Sequence, residues 1–226
     1  MRTEFHADLD LLTAEVAEMC AIACDLIQCA TTALVETDVH LAEKVLLDLH
    51  RLDRLRDGAT DRAFALLALQ APVARDLRVV VSSIQIAAAA DRMGGLANNV
   101  AKVVRRHRPE PAVPTAALSH FTAMAQVAVE LARRVQAAVA TCDAEQARRI
   151  LADDDMMNDL HRQLFVLVLD SRWPHGAAAA ADVALLGRFY ERFADQVVDI
   201  ARRVVFQRSG RIGAVGSGSD PVASDH

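Results

Sequence analysis

Apolar residues recur at intervals of three and four positions along almost the whole chain, which is the spacing of one face of an α-helix. The first three stripes run from Leu9 to Leu34, from Leu41 to Leu69 and from Leu77 to Val100. Thr37-Asp38 separates the first two stripes, and Asp38 is predicted to cap the second helix. Pro72 ends that helix because proline has no amide hydrogen, so the third helix is predicted to begin near Asp76.

The same pattern returns after a proline-rich junction at residues 105–114, which contains three prolines within six residues. Such a junction favours a domain boundary. Further helices are predicted over about 115–140, from residue 143 to a break at Trp173-Pro174, and over about 178–207.

The two halves match in sequence as well as in pattern. Residues of the second helix recur at an offset of 105, and residues of the third recur at an offset of 100. The matched pairs include Asp38 with Asp143, Ala42 with Ala147, and Asp91 with Glu191. The predicted fold class is therefore all-α, with two tandem three-helix bundles at 1–108 and 115–208 that each bury their own stripes. The Gly/Ser-rich segment 209–226 is predicted to be a disordered tail.

Composition narrows the class of protein. The 226 residues are 53% hydrophobic, 4% aromatic and 24% charged, with a net charge of −5, so neither disorder nor nucleic-acid binding is expected. The uncharged stretch Val79–Ala90 is shorter than the ~20 residues that span a bilayer, so a soluble cytoplasmic protein is expected. The four cysteines, Cys20, Cys24, Cys29 and Cys142, form no Cys-x-x-Cys pair. Because the first three lie on one apolar helical pattern, reduced core thiols are expected, and a metal ion shared by Cys20 and Cys24 is the alternative.

Carboxylates are dense on two pairs of helices. Glu191, Asp195 and Asp199 share one face of the last helix, and Asp153, Asp154, Asp155 and Asp159 lie on the helix before it. If these helices are neighbours, the oxygen ligands would suit Mg²⁺, Ca²⁺ or Mn²⁺, and iron would be tolerated. The first repeat carries Asp48, Asp53 and Asp57 on its second helix and Asp91 on its third, but has Gly95 in place of Asp195.

Two other interpretations of these carboxylates stay open. Salt bridges to Arg192, Arg202 or Arg203 would satisfy the acids of the last helix without any metal ion. His50 and His161 lie near the clusters and would be additional ligands, although histidines on a protein surface are more common.

Motifs for catalysis are missing from the sequence. No glutamate is followed three residues later by histidine, as in ferritin-like di-iron enzymes. Neither a Gly-x-x-x-x-Gly-Lys-Ser/Thr phosphate loop nor a Gly-x-Ser-x-Gly elbow occurs. These absences count against an enzyme.

Several motifs resemble those of the PhoU family, and the resemblance covers residues 1 to about 208. Leu66–Arg78 is similar to the family's helix-junction signature, while residues 91–94 and 191–195 resemble its repeated Glu-Arg-Ile-Gly/Ala-Asp motif. The resemblance implies two three-helix bundles and negative regulation of the high-affinity phosphate ABC transporter. It further implies control of the associated two-component phosphate-sensing signalling, a cytoplasmic homodimer, and no established catalytic activity.

The implied partners are the phosphate sensor histidine kinase and the transporter ATPase subunit, with the membrane approached only through them. The implied cofactors are divalent or iron ions (Mg, Mn, Fe or Zn). In the second repeat these would be held by Glu191 and Asp195, facing Asp154 and Asp153, with Asn158 at the family's next acid and Asp159 adjacent. In the first repeat the matching residues are Asp91, Asp53 and Asp48. Because the first repeat lacks the final acid, metal is expected to prefer the second.

Two rival functions belong to different classes. One is a metal-dependent enzyme on a carboxylate-rich bundle, and the other is a structural helical adaptor without metal. At the helix junction we expect structural roles, in which Pro72 ends one helix, Asp76 caps the next and Arg78 pairs with a carboxylate. Contact with a partner protein is the alternative role for this junction.

Overall fold

The computed structural model describes residues 2–152 and 155–210, and this part of the chain is helical without any strand. The first repeat forms α1 (Arg2–Glu36), α2 (Val39–Gln70) and α3 (Ala74–His107). The second forms α4 (Thr115–Thr141), α5 (Ala144–Ala152), α6 (Asp155–Leu169) and α7 (Gly176–Ser209). The predicted fifth helix thus corresponds to α5 and α6 together, and the all-α prediction of two three-helix units is confirmed. Residues 211–226, most of the predicted tail, lie outside the described residues.

The turn that starts the second helix of each repeat has the same construction in both. The Asp38 carboxylate accepts from the Leu41 amide at 3.0 Å, as predicted, and the Asp143 carboxylate accepts from the Glu145 amide at 2.9 Å. The residue before each aspartate is left-handed, with φ of 56° at Thr37 and 52° at Cys142. The duplication therefore extends to backbone geometry.

The start of α3 differs from the prediction. Its N-cap is Val73, which has extended backbone and no side-chain cap, so the prediction that Asp76 caps this helix is wrong. The helix begins at Ala74, immediately after the break at Pro72, and Asp76 lies in its first turn, where a carboxylate favours the helix dipole. Arg78 donates from Nε to the Gln207 carbonyl at 3.4 Å, and no carboxylate among the described residues pairs with it.

The two bundles share one core. Besides the contacts within each repeat, α1 packs against α4 and α3 packs against α7, and the buried side chains form a single cluster. The expectation that each repeat buries its stripes only within its own bundle is therefore wrong. Small residues on α3, such as Ala87, Ala90 and Ala97, allow it to be buried against helices of both repeats.

A buried polar contact also crosses between the repeats. The Tyr190 hydroxyl donates to Thr31 Oγ1 at 2.6 Å, while Thr31 in turn donates to the Ile27 carbonyl at 2.7 Å. Tyr190 lies on α7 with no exposed surface, and Thr31 lies on α1. This contact satisfies a hydroxyl that would otherwise be costly to bury.

Helix α3 runs antiparallel to α7. Arg78 near the start of α3 meets Gln207 near the end of α7, and Arg106 near the end of α3 pairs with Asp182 near the start of α7 at 2.8 Å. The two acidic clusters lie on separate pairs of neighbouring helices. In the first repeat α2 packs on α3, and in the second repeat α5 and α6 pack on α7. The carboxylates of each cluster therefore come from one repeat only.

Two glycines permit close approach within these pairs. A Cβ on Gly94 would lie 2.4 Å from Leu52 Cδ2, so α2 packs directly over the α3 backbone there. A Cβ on Gly187 would lie 2.8 Å from Leu164 Cδ1 and 3.1 Å from His161 Cδ2. Gly187 therefore lets α6 bring His161 against α7.

Helix α1 is long and apolar enough to cross a membrane by length and composition alone, with a mean hydropathy of 1.4 in its most apolar stretch. However, 61% of that stretch is buried inside the protein. The helix therefore fits the description of a core helix.

Candidate carboxylate sites

In the first repeat, three carboxylates surround the guanidinium of Arg56 on α2. Arg56 Nη1 lies 3.0 Å from Asp91 Oδ1 on α3 and 3.4 Å from Asp53 Oδ1, and Nη2 lies 2.9 Å from Asp57 Oδ1. The cation in this cluster is thus a side chain of the protein. Its ion pair with Asp91 joins α2 to α3.

These contacts favour the charged form of the arginine. Hydrogen bonding to Asp57 raises the pKa of Arg56, and the nearby charges of Asp91 and Asp53 add to the effect. The arginine and Asp91 side chains are 35% and 30% exposed, so solvent screens the network only in part. His50 Nδ1 lies 3.7 Å from Asp53 Oδ2 at the edge of the cluster.

Asp48 lies on α2 outside the Arg56 cluster and close to Cys29. It lies one turn before the cluster on α2, where its charge adds to burial in raising the pKa of the Cys29 thiol. Within residues 2–152 and 155–210, no ion pair joins Asp48 to Arg56. The structure therefore brings together Asp53 and Asp91 of the predicted first site, but not Asp48.

In the second repeat, arginines on the same helices contact most of the described carboxylates. Arg188 donates to Glu191 on α7, and Arg162 donates to Asp159 on α6 at 2.8 Å. Asp195 is exposed one turn beyond Glu191, while Asp153 and Asp154 lie outside the described residues. The salt-bridge interpretation is confirmed at Asp199, which accepts from Arg203 at 3.4 Å.

His161 on α6 lies against α7 at Gly187, one turn before Glu191. Its ring packs edge-on against Phe165 at 5.0 Å, and its Nε2 is buried with no hydrogen-bond partner among the described residues. Burial lowers the pKa of His161, an effect that the Glu191 carboxylate opposes and the Arg188 guanidinium reinforces. His161 is therefore favoured as a neutral imidazole with an unpaired nitrogen, which is the form that binds metal ions.

The repeat offsets show how the two clusters correspond. His161 matches Arg56 at an offset of 105, and Glu191 matches Asp91 at an offset of 100. Sequence reasoning found the matching acids but missed this exchange at the centre of each cluster, although the offset of 105 was available. The exchange replaces a fixed cation with a potential metal ligand.

Neither cluster forms a complete metal centre within the described residues. No three His, Cys, Asp or Glu side chains there lie close enough together to hold a metal ion. In the first repeat the carboxylates point to Arg56, and the set does not fit a metal. In the second repeat His161 and Glu191 supply donor types that suit a metal ion, while Asp153 and Asp154 lie outside the described residues.

The cysteines are unsuited to redox or metal chemistry. All four are free, as predicted, and burial raises the pKa of Cys20 to about 12. The Cys24 thiol donates to the Val129 carbonyl across the α1–α4 contact. A thiol with a raised pKa is a poor nucleophile at neutral pH.

A family model and several known proteins match this chain along most of its length. A family model described as the PhoU domain matches residues 16–104 and 121–204. The chain is 50% identical over 210 residues to "Phosphate-specific transport system accessory protein PhoU homolog 2" of Mycobacterium tuberculosis, covering 93% of this chain and 99% of that protein. It is 49% identical to PhoU homolog 1 of Mycobacterium leprae, covering 93% and 95%.

Solved structures show the same fold. The phosphate transport system regulatory protein PhoU from Streptococcus pneumoniae superposes with a TM-score of 0.84 at 20% identity, covering 93% of this chain and 100% of the other. PhoU from Pseudomonas aeruginosa gives 0.80 at 19% identity, covering 92% and 100%.

Proposed function

The chain belongs to the PhoU family, and on that premise we propose that it negatively regulates high-affinity phosphate ABC transport and the associated two-component phosphate-sensing signalling. The observation that carries this proposal is the 50% identity over 93% of the chain to a phosphate-specific transport accessory protein. The regulator would act through protein–protein contacts in the cytoplasm as a homodimer. We propose no catalytic activity, since the family is one of accessory proteins.

We propose that partner proteins bind at the junction between α2 and α3. The side chains there are unusually exposed for apolar residues, with Leu69 at 80%, Val73 at 74% and Phe64 at 59%. Exposed apolar side chains grouped on a soluble protein favour protein contacts. The phosphate sensor histidine kinase and the ATPase subunit of the transporter are the proposed partners.

We further propose that the second repeat binds a divalent or iron ion. Glu191, Asp195 and His161 would hold it with Asp153 or Asp154, because carboxylate oxygen and imidazole nitrogen are ligands common to Mn²⁺, Fe and Zn²⁺. Such an ion would neutralise clustered acids and tie α7 to the helices before it. Its role would be to stabilise the helix packing of the second repeat.

The regulatory proposal is tested by deleting the gene and measuring phosphate uptake in phosphate-replete medium. We expect uptake and the output of the two-component system to rise in the deletion strain, and the full-length chain to restore repression. Unchanged uptake and signalling in the deletion strain would overturn the proposal.

The junction is tested with Leu69→Asp/Val73→Asp. We expect this variant to lose both repression and co-purification with the kinase or the ATPase, identified by mass spectrometry. The control is Leu47→Asp, which places the same charge at a 69% exposed position elsewhere on α2. Normal repression by the junction variant, with normal folding by circular dichroism, would rule out this surface.

A further inference from the structure

We infer that Arg56 takes the place of a metal ion in the first repeat of this chain. The carboxylates of Asp53, Asp57 and Asp91, which would otherwise repel one another, converge on a guanidinium. The inference depends only on contacts within the first repeat. It therefore stands whether or not the second repeat binds a metal.

The geometry of the contacts supports this role. A guanidinium offers five N–H donors in a fixed plane and keeps its charge throughout the physiological pH range. Arg56 uses Nη1 for Asp91 and Asp53, and uses Nε and Nη2 for Asp57 at 3.1 and 2.9 Å. All three acids contact one side chain, so each carboxylate already has a cationic partner.

The position of the arginine matters as much as its charge. Arg56 lies on α2 and reaches Asp91 on α3, so the ion pair links the same two helices that a bridging metal would link. A metal ion entering this cluster would have to displace the guanidinium and leave it without its carboxylate partners. That displacement would break the ion pairs of Arg56 with all three aspartates.

Gly95, which follows the α3 acid of the cluster, also fits a first repeat that holds no metal ion. The position that carries Asp195 in the second repeat is Gly95 in the first, where a Cβ would meet nothing within 4 Å. There is space for a fourth carboxylate, yet none is present. A fourth carboxylate would add another negative charge to three acids that share a single arginine.

The test uses Mn²⁺ as the probe in a Glu191→Ala/Asp195→Ala background, which removes the proposed second-repeat ligands. We expect no saturable Mn²⁺ binding by calorimetry while Arg56 is present, even after Gly95→Asp supplies the missing acid. Adding Arg56→Met to Gly95→Asp should create saturable Mn²⁺ binding where the variant that keeps Arg56 shows none. It should also lower the melting temperature by roughly 2–4 °C without metal, and Mn²⁺ should restore it.

The matched control is Arg54→Met with Gly95→Asp, which removes an exposed arginine two residues away and should create no binding. If the methionine variant does not fold, Arg56→His places the second repeat's residue at the same position. Mn²⁺ binding that requires Asp53 and Asp91 while Arg56 is present would overturn the inference. Equal binding by the Gly95→Asp variants with and without Arg56 would also overturn it.

Discussion

The two repeats have the same helical plan but balance their carboxylates in different ways. In the first, Arg56 contacts three aspartates and supplies a permanent positive charge. In the second, the matching residue is His161, whose Nε2 has no partner among the described residues and whose neutral form is favoured by burial. Of the three aspartates, only Asp91 has an acid at the matching position, Glu191. Asp53 and Asp57 match Asn158 and Arg162, so the clusters of a duplicated fold can diverge in their acids as well as in the residue at their centre.

The shared core sets a limit on how independent the repeats are. Tyr190 on α7 is fully buried against α1, whereas the matching position in α3 is the small Ala90. Each repeat is thus completed by side chains of the other. The two repeats are therefore expected to unfold together.

The largest effect is expected at this shared core. Tyr190→Ala would remove a fully buried ring and leave a cavity between the repeats, which should lower the free energy of unfolding by about 3–5 kcal/mol. Tyr190→Phe, the control, should lose only the hydrogen bond to Thr31, or about 1 kcal/mol. Chemical denaturation should show one transition in each case. Separate transitions for the two repeats would contradict the shared core.

The second-largest change in stability is expected from substitutions at the adjacent glycines Gly94 and Gly95. Gly94→Ala would push a Cβ to 2.4 Å from Leu52 Cδ2 and should destabilise the protein by about 1–3 kcal/mol. Gly95→Ala has open space and should stabilise the helix by about 0.5–1 kcal/mol. Thermal denaturation distinguishes them. Equal effects would show that α2 does not pack closely over α3 at Gly94.

His161→Arg gives the second repeat the central residue of the first. The guanidinium would pair with Glu191, so Mn²⁺ affinity should fall about tenfold or more, equivalent to about 1.4 kcal/mol. The control is Gln163→Arg, which adds the same charge at an exposed position on α6. Calorimetry measures both. An unchanged Mn²⁺ affinity in His161→Arg would show that His161 is not a ligand of the metal ion.

The smallest effect concerns pH. Because the pKa of folded His161 is below its ordinary value of 6.5, the unfolded chain binds a proton more readily. This contribution to stability is present above pH 6.5 and is lost as pH falls towards the folded pKa. His161→Gln should therefore flatten the decline in unfolding free energy below pH 6.5, measured by urea denaturation. Arg56 keeps its charge throughout this pH range and should not contribute to the decline. If His161→Gln leaves the slope of unfolding free energy against pH unchanged, the decline belongs to other groups.

Much of the fold follows from local patterns in the sequence. Asp38 precedes an apolar stripe and Pro72 interrupts one, so the ends of α2 were predictable. The start of α3 was not, because its N-cap is Val73, a residue with no side chain able to accept a hydrogen bond. The α1–α4 and α3–α7 contacts were also missed, since an apolar stripe shows that a face is buried but not which helix buries it.

For the candidate sites, too, the sequence predicted some features and not others. Matching acids such as Asp91 and Glu191 were found from the repeat offsets, because carboxylates are conspicuous in an apolar pattern. The role of Arg56 was not found, since a sequence rich in arginine does not indicate which one lies among three acids. The unpaired nitrogen of His161 depends on the close approach at Gly187 and so required coordinates.

The most direct test of the difference between the repeats is Mn²⁺ binding to matched variants of the full chain. We predict saturable binding by the unaltered protein, loss of that binding in Glu191→Ala/Asp195→Ala, and unchanged binding in Asp53→Asn/Asp91→Asn. Undiminished binding in the Glu191→Ala/Asp195→Ala variant, or loss of binding in Asp53→Asn/Asp91→Asn, would contradict the account.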